Sequence, residues 1–291
     1  MENRVRAVLL YILSLGLLST LFALSKLLME QFNLFQVIFF RNIMALLCIA
    51  PLLIWQAPAR PWRSKRIRAH LRRGFWGFVN MALIYMAIKH LPLALALTFR
   101  QLEAFSWMLF GHYWYGERAK PHQWLALMLG GVGVLVLLQP ALAINTIGLV
   151  ASLAAALTGG LIRAWSRDLS KTERSTTIIT MNFAQWSILS AMILPWVWQA
   201  PAWGDWIPLM GAGLLLIAAQ WTMTEAVGSA PASFLAPWRY SELVFAALWG
   251  YAIWHEQPSP VTTLGAFIIV VAGLLASWPI AQKPNKKGDE P

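Results

Sequence analysis

Four ionisable residues stand inside apolar stretches of the chain: Arg100 with Glu103, and Arg239 with Glu242. Each pair is spaced i, i+3, which on a helix puts a guanidinium and a carboxylate on one face. If those stretches cross a bilayer, each unpaired charge at its centre costs about 3 kcal/mol, so the four represent a penalty on the order of 10 kcal/mol. Two arrangements offset it. The members of each pair can neutralise one another along their own helix and lock a bundle, or they can face a wet cavity and contact a solute; a pair that holds the empty site can also exchange partners when ligand arrives. Pro237 interrupts its stretch just before Trp238, Arg239 and Tyr240, freeing backbone groups that are tolerated at membrane depth only beside protein or cavity water. That segment reads as a site wall. Tyr85, Phe99, Trp107, Trp186 and Trp221 are aromatic candidates for the same space, although most of the 17 Trp belong at interfaces or against lipid. Arg41 is a further site candidate, whereas Lys26 is placed to snorkel outward. Glu225, near a span end, reads as a solvated cap or a proton site. Proton carriage by Glu103 or Glu242 would need a carboxyl pKa raised by burial, and adjacent arginines push the other way, so the energy source stays open.

The elements that position these residues follow from hydropathy. With 58% hydrophobic and 12% charged residues in 291, the chain holds more apolar surface than a soluble core can hide. A hydrocarbon core of about 30 Å needs about 20 apolar residues, and such runs, divided by polar or Pro/Gly punctuation, give ten spans. They cover 7–29, 34–55, 70–89, 92–115, 121–138, 147–167, 176–198, 207–227, 231–254 and 261–279. The first is read as an uncleaved span, because it exceeds a signal-peptide core and lacks a clear small-residue cleavage site. No gap is long enough for a soluble domain, so function resides in the membrane.

Lys and Arg fix the orientation. Arg4 and Arg6, the run from Arg60 to Arg73, Arg118 with Lys120, Arg167 with Lys171 and Arg174, and Lys283 to Lys287 all fall on one side when both termini are cytoplasmic. The opposite loops carry only Lys89. This places the chain in the cell inner (cytoplasmic) membrane as a multi-pass protein, with 280–291 as a cytoplasmic tail and lipid as its surroundings. Trp203 and Trp206 fit the outer aromatic belt.

The chain also repeats itself. Pro92 matches Pro231, Arg100 matches Arg239, Glu103 matches Glu242, Gly111 matches Gly250, Glu117 matches Glu256, Pro121 matches Pro260 and Pro140 matches Pro279, all at one offset. Hydrophobicity alone does not produce paired charges. Each unit, 7–139 and 147–279, holds five spans, an odd number, so the second enters the membrane in the opposite sense, as in the inverted repeats of secondary transporters. Glu103 lies eleven residues beyond Pro92 and Glu242 eleven beyond Pro231. At 1.5 Å per residue both carboxylates come about 16 Å deep, near the bilayer centre, from opposite sides.

Several other functions fall away. The net charge of +11 is accounted for by topology and calls for no nucleic acid. The single Cys48 lies in an apolar segment, which leaves no disulfide or thiolate cluster. The five histidines sit at or near span ends without metal-ligand spacing, so neither a metal, a cofactor nor an enzymatic constellation is expected. Ala151, Ala155 and Gly159, and the cluster Gly130, Gly131 and Gly133, read as close-packing faces. A channel or a scaffold is the competing class, separable by saturation of flux.

FQVIFFRN at 35–42, HLPLALALTF at 90–99, YGERAKPHQWLALMLGGVGVLVLL at 115–138 and WHEQPSPVTTLGAFIIVVAGLLA at 254–276 resemble the drug/metabolite transporter superfamily, in its ten-span EamA-repeat branch. Glu117/Pro121 and Glu256/Pro260 correspond to that family's Glu before Pro after each fourth helix. The resemblance implies an all-α membrane protein of ten transmembrane helices in two inverted five-helix EamA repeats. APWRYSELV at 236–244, with FFRN, resembles the subgroup of S-adenosylmethionine uptake carriers and, more loosely, exporters of amino-acid-derived compounds such as opine-type metallophores. It implies that Arg41, Arg239 and Tyr240 meet a substrate carboxylate and that Glu242 or Glu103 meets an amino group. The expected function is secondary-active transport of a small zwitterionic amino-acid derivative by alternating access, with efflux favoured because exporters are commoner in the family. Uptake or exchange of an S-adenosylmethionine-like metabolite is the alternative, and a homodimer stays open. The substrate-binding candidates are therefore Arg41, Tyr85, Arg100, Glu103, Trp238, Arg239, Tyr240 and Glu242.

Overall fold

The computed structural model describes residues 2–55, 64, 66–103, 105–106, 109–110, 113, 121–138, 145–170, 172–229, 238, 241–256 and 260–277. Among them every regular element is helical. In chain order these are α1 (Glu2–Gln31), α2 (Leu34–Trp55), α3 (Ile67–His90), α4 (Leu93–Arg100), α5 (Pro121–Leu138), α6 (Thr146–Ser170), α7 (Ser175–Val197), a 3-10 turn (Trp203–Asp205), α8 (Trp206–Ser229), α9 (Ser241–Trp254) and α10 (Pro260–Ser277). Five of the described helices are, by length and composition, long and apolar enough to cross a membrane. Large apolar side chains point away from the bundle, Met128 71% exposed and Phe267 64%, a surface suited to lipid and not to water.

Asparagine side-chain oxygens start two of the helices. Asn33 Oδ1 accepts the Phe35 N–H at 3.0 Å and opens α2. Asn145 Oδ1 accepts the N–H groups of Ile147 and Gly148 at 3.0 and 3.2 Å and opens α6. The fourth span departs from the expected continuous helix. α4 stops at Arg100, and the N–H groups of Gln101 and Leu102 turn to the carbonyls of Thr98 and Phe99, at 3.0 Å each. These i to i+3 bonds tighten the chain into a turn with no Gly or Pro to announce it.

Helix pairing carries the repeat. α1 packs on α8 as α6 packs on α3; α2 packs on α8 as α7 packs on α3; α1 packs on α9 as α6 packs on α4. The remaining principal pairs, α2 with α7, α4 with α9 and α5 with α10, map onto themselves when each helix is exchanged for the one five places along. The sense is inverted. Lys26, near the last residues of α1, reaches the Leu91 carbonyl at 3.3 Å, and Gly148, at the start of α6, faces the same Leu91. One unit's first helix therefore ends where the other's begins. The core of Phe22, Ile38, Tyr85, Leu97, Phe99 and Phe183 lies between the units.

Small residues allow these approaches. Ala151 and Ala155 are buried, and Gly159 faces the Glu103 carboxyl group, so that face does pack closely. Gly130 seats the Phe105 ring, but nothing stands within 4 Å of a Cβ on Gly131. At Gly213 of α8 a Cβ would overlap that of Met44 and stand 3.2 Å from the Ala45 amide nitrogen, backbone that cannot swing aside. Gly213→Leu is expected to lower stability by about 1–3 kcal/mol, read as a lower thermal midpoint in detergent. An unchanged midpoint would show that α2 and α8 are free to separate.

Candidate functional site

The bundle has two ends, one marked by Lys26, Gln36 and Glu256, the other by the basic residues from Arg66 to Arg73. Between them lies a cavity of about 190 Å³ lined by, among others, Phe22, Arg41, Arg73, Asn80, Arg100 and Trp186. Arg41, seven residues into α2, is 1% exposed. Its Nη1 donates to the Tyr85 hydroxyl at 2.6 Å, and that hydroxyl shares a 2.7 Å hydrogen bond with Ser25 Oγ. The guanidinium carbon is 5.0 Å from the Tyr85 ring centre and 6.0 Å from that of Trp186. Its Nε and Nη2 have no hydrogen-bond partner among the described residues. Those two nitrogens form one edge of the planar guanidinium, the edge whose parallel N–H bonds match both oxygens of a carboxylate.

Arg100 is different. Its Nη1 donates to Glu242 Oε1 at 2.5 Å, and its guanidinium lies 5.2 Å from the Phe22 ring centre. Glu242 is 0% exposed and takes a second hydrogen bond, from Gln101 Nε2 to Oε2 at 3.3 Å. The turn after α4 therefore aims both Arg100 and Gln101 at one carboxylate of α9. Along its own helix Arg100 keeps an ion pair with Glu103, whose Oε2 stands 4.0 Å from Arg100 Nε, and Glu103 also bonds Arg163 Nε of α6. The close pairs cross between the units because α4 packs between α6 and α9.

Arg73 of α3 faces the same cavity and donates from Nε to Ser166 Oγ at 2.6 Å and from Nη1 to Asn182 Oδ1 at 3.3 Å. Asn80 donates to the Ala155 carbonyl at 2.6 Å and to Thr158 Oγ1 at 2.8 Å. Neither was singled out from the sequence, since Arg73 was absorbed by the orientation argument and Asn80 carries no pattern. Of the aromatic candidates, Tyr85 and Trp186 meet Arg41, Phe99 is packed into the core and Trp221 points outward, 47% exposed. Trp238 is 43% exposed. Arg239, Tyr240, Trp107 and Glu117 lie outside the described residues.

Lys26 corrects an expectation. It does not snorkel: Nζ bonds Glu256 Oε1 at 2.7 Å and stands 4.3 Å from the Trp254 ring centre. The Glu256 carboxylate also accepts the Leu93 N–H, at 2.9 Å, and so caps α4. Beside it Gln36 exchanges two hydrogen bonds with the backbone of Gln199, at 2.6 and 3.0 Å. These contacts close this end of the bundle. At the basic end Arg66 bonds Asp168 at 2.6 Å and Ser64 bonds Glu173 at 2.6 Å.

Removing one partner of a buried ion pair leaves an uncompensated charge, at a cost of about 3–5 kcal/mol, while removing both costs far less. Glu242→Gln is therefore expected to unfold at lower denaturant than the wild type, and Glu242→Gln with Arg100→Gln to recover at least about half of the loss. Unfolding midpoints in detergent measure both; a double variant no better than the single would mean that the pair is not coupled.

Comparison with known proteins now adds to the geometry. The model of the EamA-like transporter family matches residues 5–139 and again 146–278. The pseudopaline exporter of Pseudomonas aeruginosa is 28% identical over 83% of this chain and 85% of its own length. The riboflavin transporter of Vibrio cholerae is 22% identical over 80% of each chain, and the S-adenosylmethionine uptake transporter of Rickettsia bellii is 21% identical over 95% of each. A solved crystal structure with 16% identity superimposes with a TM-score of 0.64 over 94% of this chain and 96% of its own, a likeness of fold. The two matched halves, the helical bundle and its lipid-suited surface agree: this chain belongs to the EamA-like transporter family, multi-pass membrane proteins that carry small molecules and are not enzymes.

Proposed function

We propose that the chain is a secondary-active carrier of the cytoplasmic membrane that exports a small zwitterionic amino-acid derivative by alternating access, with both termini in the cytoplasm. The observation that carries this reading is the free edge of Arg41. A guanidinium 1% exposed, held on one side by Tyr85 and with no partner for Nε and Nη2 among the described residues, is a site built for a carboxylate. Arg100, Glu103 and Glu242 supply mixed charge beside it, and pair exchange lets one of the two carboxylates meet the substrate's amino group. Arg239, Tyr240 and Trp238 stay in the proposed binding set on the resemblance of their segment. Lys26 with Glu256 and Gln36 with Gln199 link the units at the end that the orientation argument places outside, and Arg66 with Asp168 links them at the other, ends that alternating access would open in turn. Similarity to the pseudopaline exporter supports efflux of an amino-acid-derived compound. A second reading, uptake or exchange of an S-adenosylmethionine-like metabolite, is favoured by the match to the Rickettsia transporters over 95% of the chain.

Untargeted metabolite comparison inside and outside cells, with and without the protein, tests substrate and direction together. The expected result is an amino-acid derivative that accumulates inside when the protein is absent. Reconstituted into proteoliposomes, the chain should then move that compound with saturable kinetics, and Arg41→Gln should reduce the flux by about a hundredfold, the loss of a charge-assisted bidentate contact of about 3 kcal/mol. Flux that does not saturate, or that Arg41→Gln leaves intact, would sink the proposal.

A further inference from the structure

The cavity holds more positive charge than one carboxylate calls for. Three arginines line it, Arg41, Arg73 and Arg100, and its described lining contains no Asp or Glu. Arg100 is answered by Glu242 and, farther off, by Glu103. Arg41 has only the neutral Tyr85 hydroxyl, and Arg73 only the neutral oxygens of Ser166 and Asn182. Among the described residues neither has a carboxylate within ion-pair distance. Two guanidinium groups on one small cavity repel each other, and burial among apolar side chains strengthens that repulsion.

Trp186 stands between the segments that carry them. Its Nε1 donates to the carbonyl of Gly74, the residue after Arg73, at 2.8 Å, and a Cβ on Gly77 would come within 2.9 Å of its Cζ2. On the other side its ring centre is 6.0 Å from the Arg41 guanidinium. Asn182, which accepts from Arg73, is one turn before Trp186 on α7. Asn182 and Trp186 stand about 6 Å apart along α7, so Arg73 and Arg41 are met at different levels of the helix. A molecule with a second acid on a short arm can give each guanidinium its own anion.

We infer that the transported molecule carries two anionic groups, a carboxylate on the free edge of Arg41 and a second acid on Arg73, so that an amino-acid derivative seated here is a net anion. The inference rests on the reading of Arg41 above and extends it. It also bears on the energy source, since an anion leaving a negative interior runs down the electrical gradient, which contributes to driving its export.

The test uses the full chain in nanodiscs and two probes of equal size, N-(2-carboxyethyl)-L-alanine and its mono-amide N-(2-carbamoylethyl)-L-alanine, with affinity read by calorimetry. The diacid is expected to bind at least about ten-fold more tightly than the mono-amide. Arg73→Gln should bring the diacid down to the affinity of the mono-amide and leave the mono-amide unchanged, and Arg73→Lys should restore part of the preference. Equal binding of the two probes by the wild type, or equal weakening of both by Arg73→Gln, overturns the second anionic site. If both probes bind alike and Arg41→Gln abolishes both, the carboxylate reading of Arg41 stands while this extension fails. If neither probe binds, both fail together.

Discussion

An arginine at membrane depth must be neutralised by the protein around it, and for Arg100 the carboxylate comes from the other half of the molecule. Arg100 ends α4 in the first unit, and Glu242 stands in the first turn of α9 in the second. The break after α4 serves that meeting, since it lets Gln101 reach the other oxygen of the same carboxylate. Glu103, three residues on, is then free to pair with Arg163 of α6. α4 is thus fastened by charge to helices on both sides, and α6 and α9 in turn pack against α3 and α1. The walls of the cavity are set by where these charges find one another.

Against that background the unpaired edge of Arg41 stands out. The protein neutralises Arg100 almost completely, yet it meets Arg41 with a phenol and two aromatic rings. Aromatic faces soften a buried cation without cancelling it. On the proposed reading of Arg41 that state suits a group that releases its ligand as well as binding it, because a permanent carboxylate neighbour would compete with the cargo. The two ends of the bundle carry polar contacts between the units, Lys26 with Glu256 at one and Arg66 with Asp168 at the other. These are small groups of separable polar links, unlike the continuous apolar core between them.

Much of the architecture was legible because hydropathy and charge act locally. Apolar runs located the helices, and the matched Arg and Glu of the two halves exposed the duplication. The partners of those charges were not legible. Spacing of i, i+3 says that Arg100 and Glu103 share a face, but the choice of Glu242 depends on how α4 and α9 pack, which no local pattern encodes. The break at Gln101 was hidden because the turn there contains neither Gly nor Pro. Lys26 was read as snorkelling because its counter-charge lies 230 residues away. Arg73 was read as one more topological charge, since a count of basic residues does not distinguish the one that turns inward. Tyr85 and Trp186 were on the aromatic list, and their contact with Arg41 selects them from it.

The pairing across units also imposes an order on assembly. Arg100 and Glu242 are 142 residues apart in the chain. At a synthesis rate of about 5–20 residues per second, Arg100 enters the membrane on the order of ten seconds before its partner has been made. During that interval the first unit holds an arginine whose nearest described carboxylate of its own is Glu103, so it is an incomplete object that the bilayer tolerates poorly. A nascent half of this carrier therefore presents a charged flank to lipid or to the insertion machinery until the second half arrives, and a chain truncated between the units would expose the same flank to quality-control proteolysis.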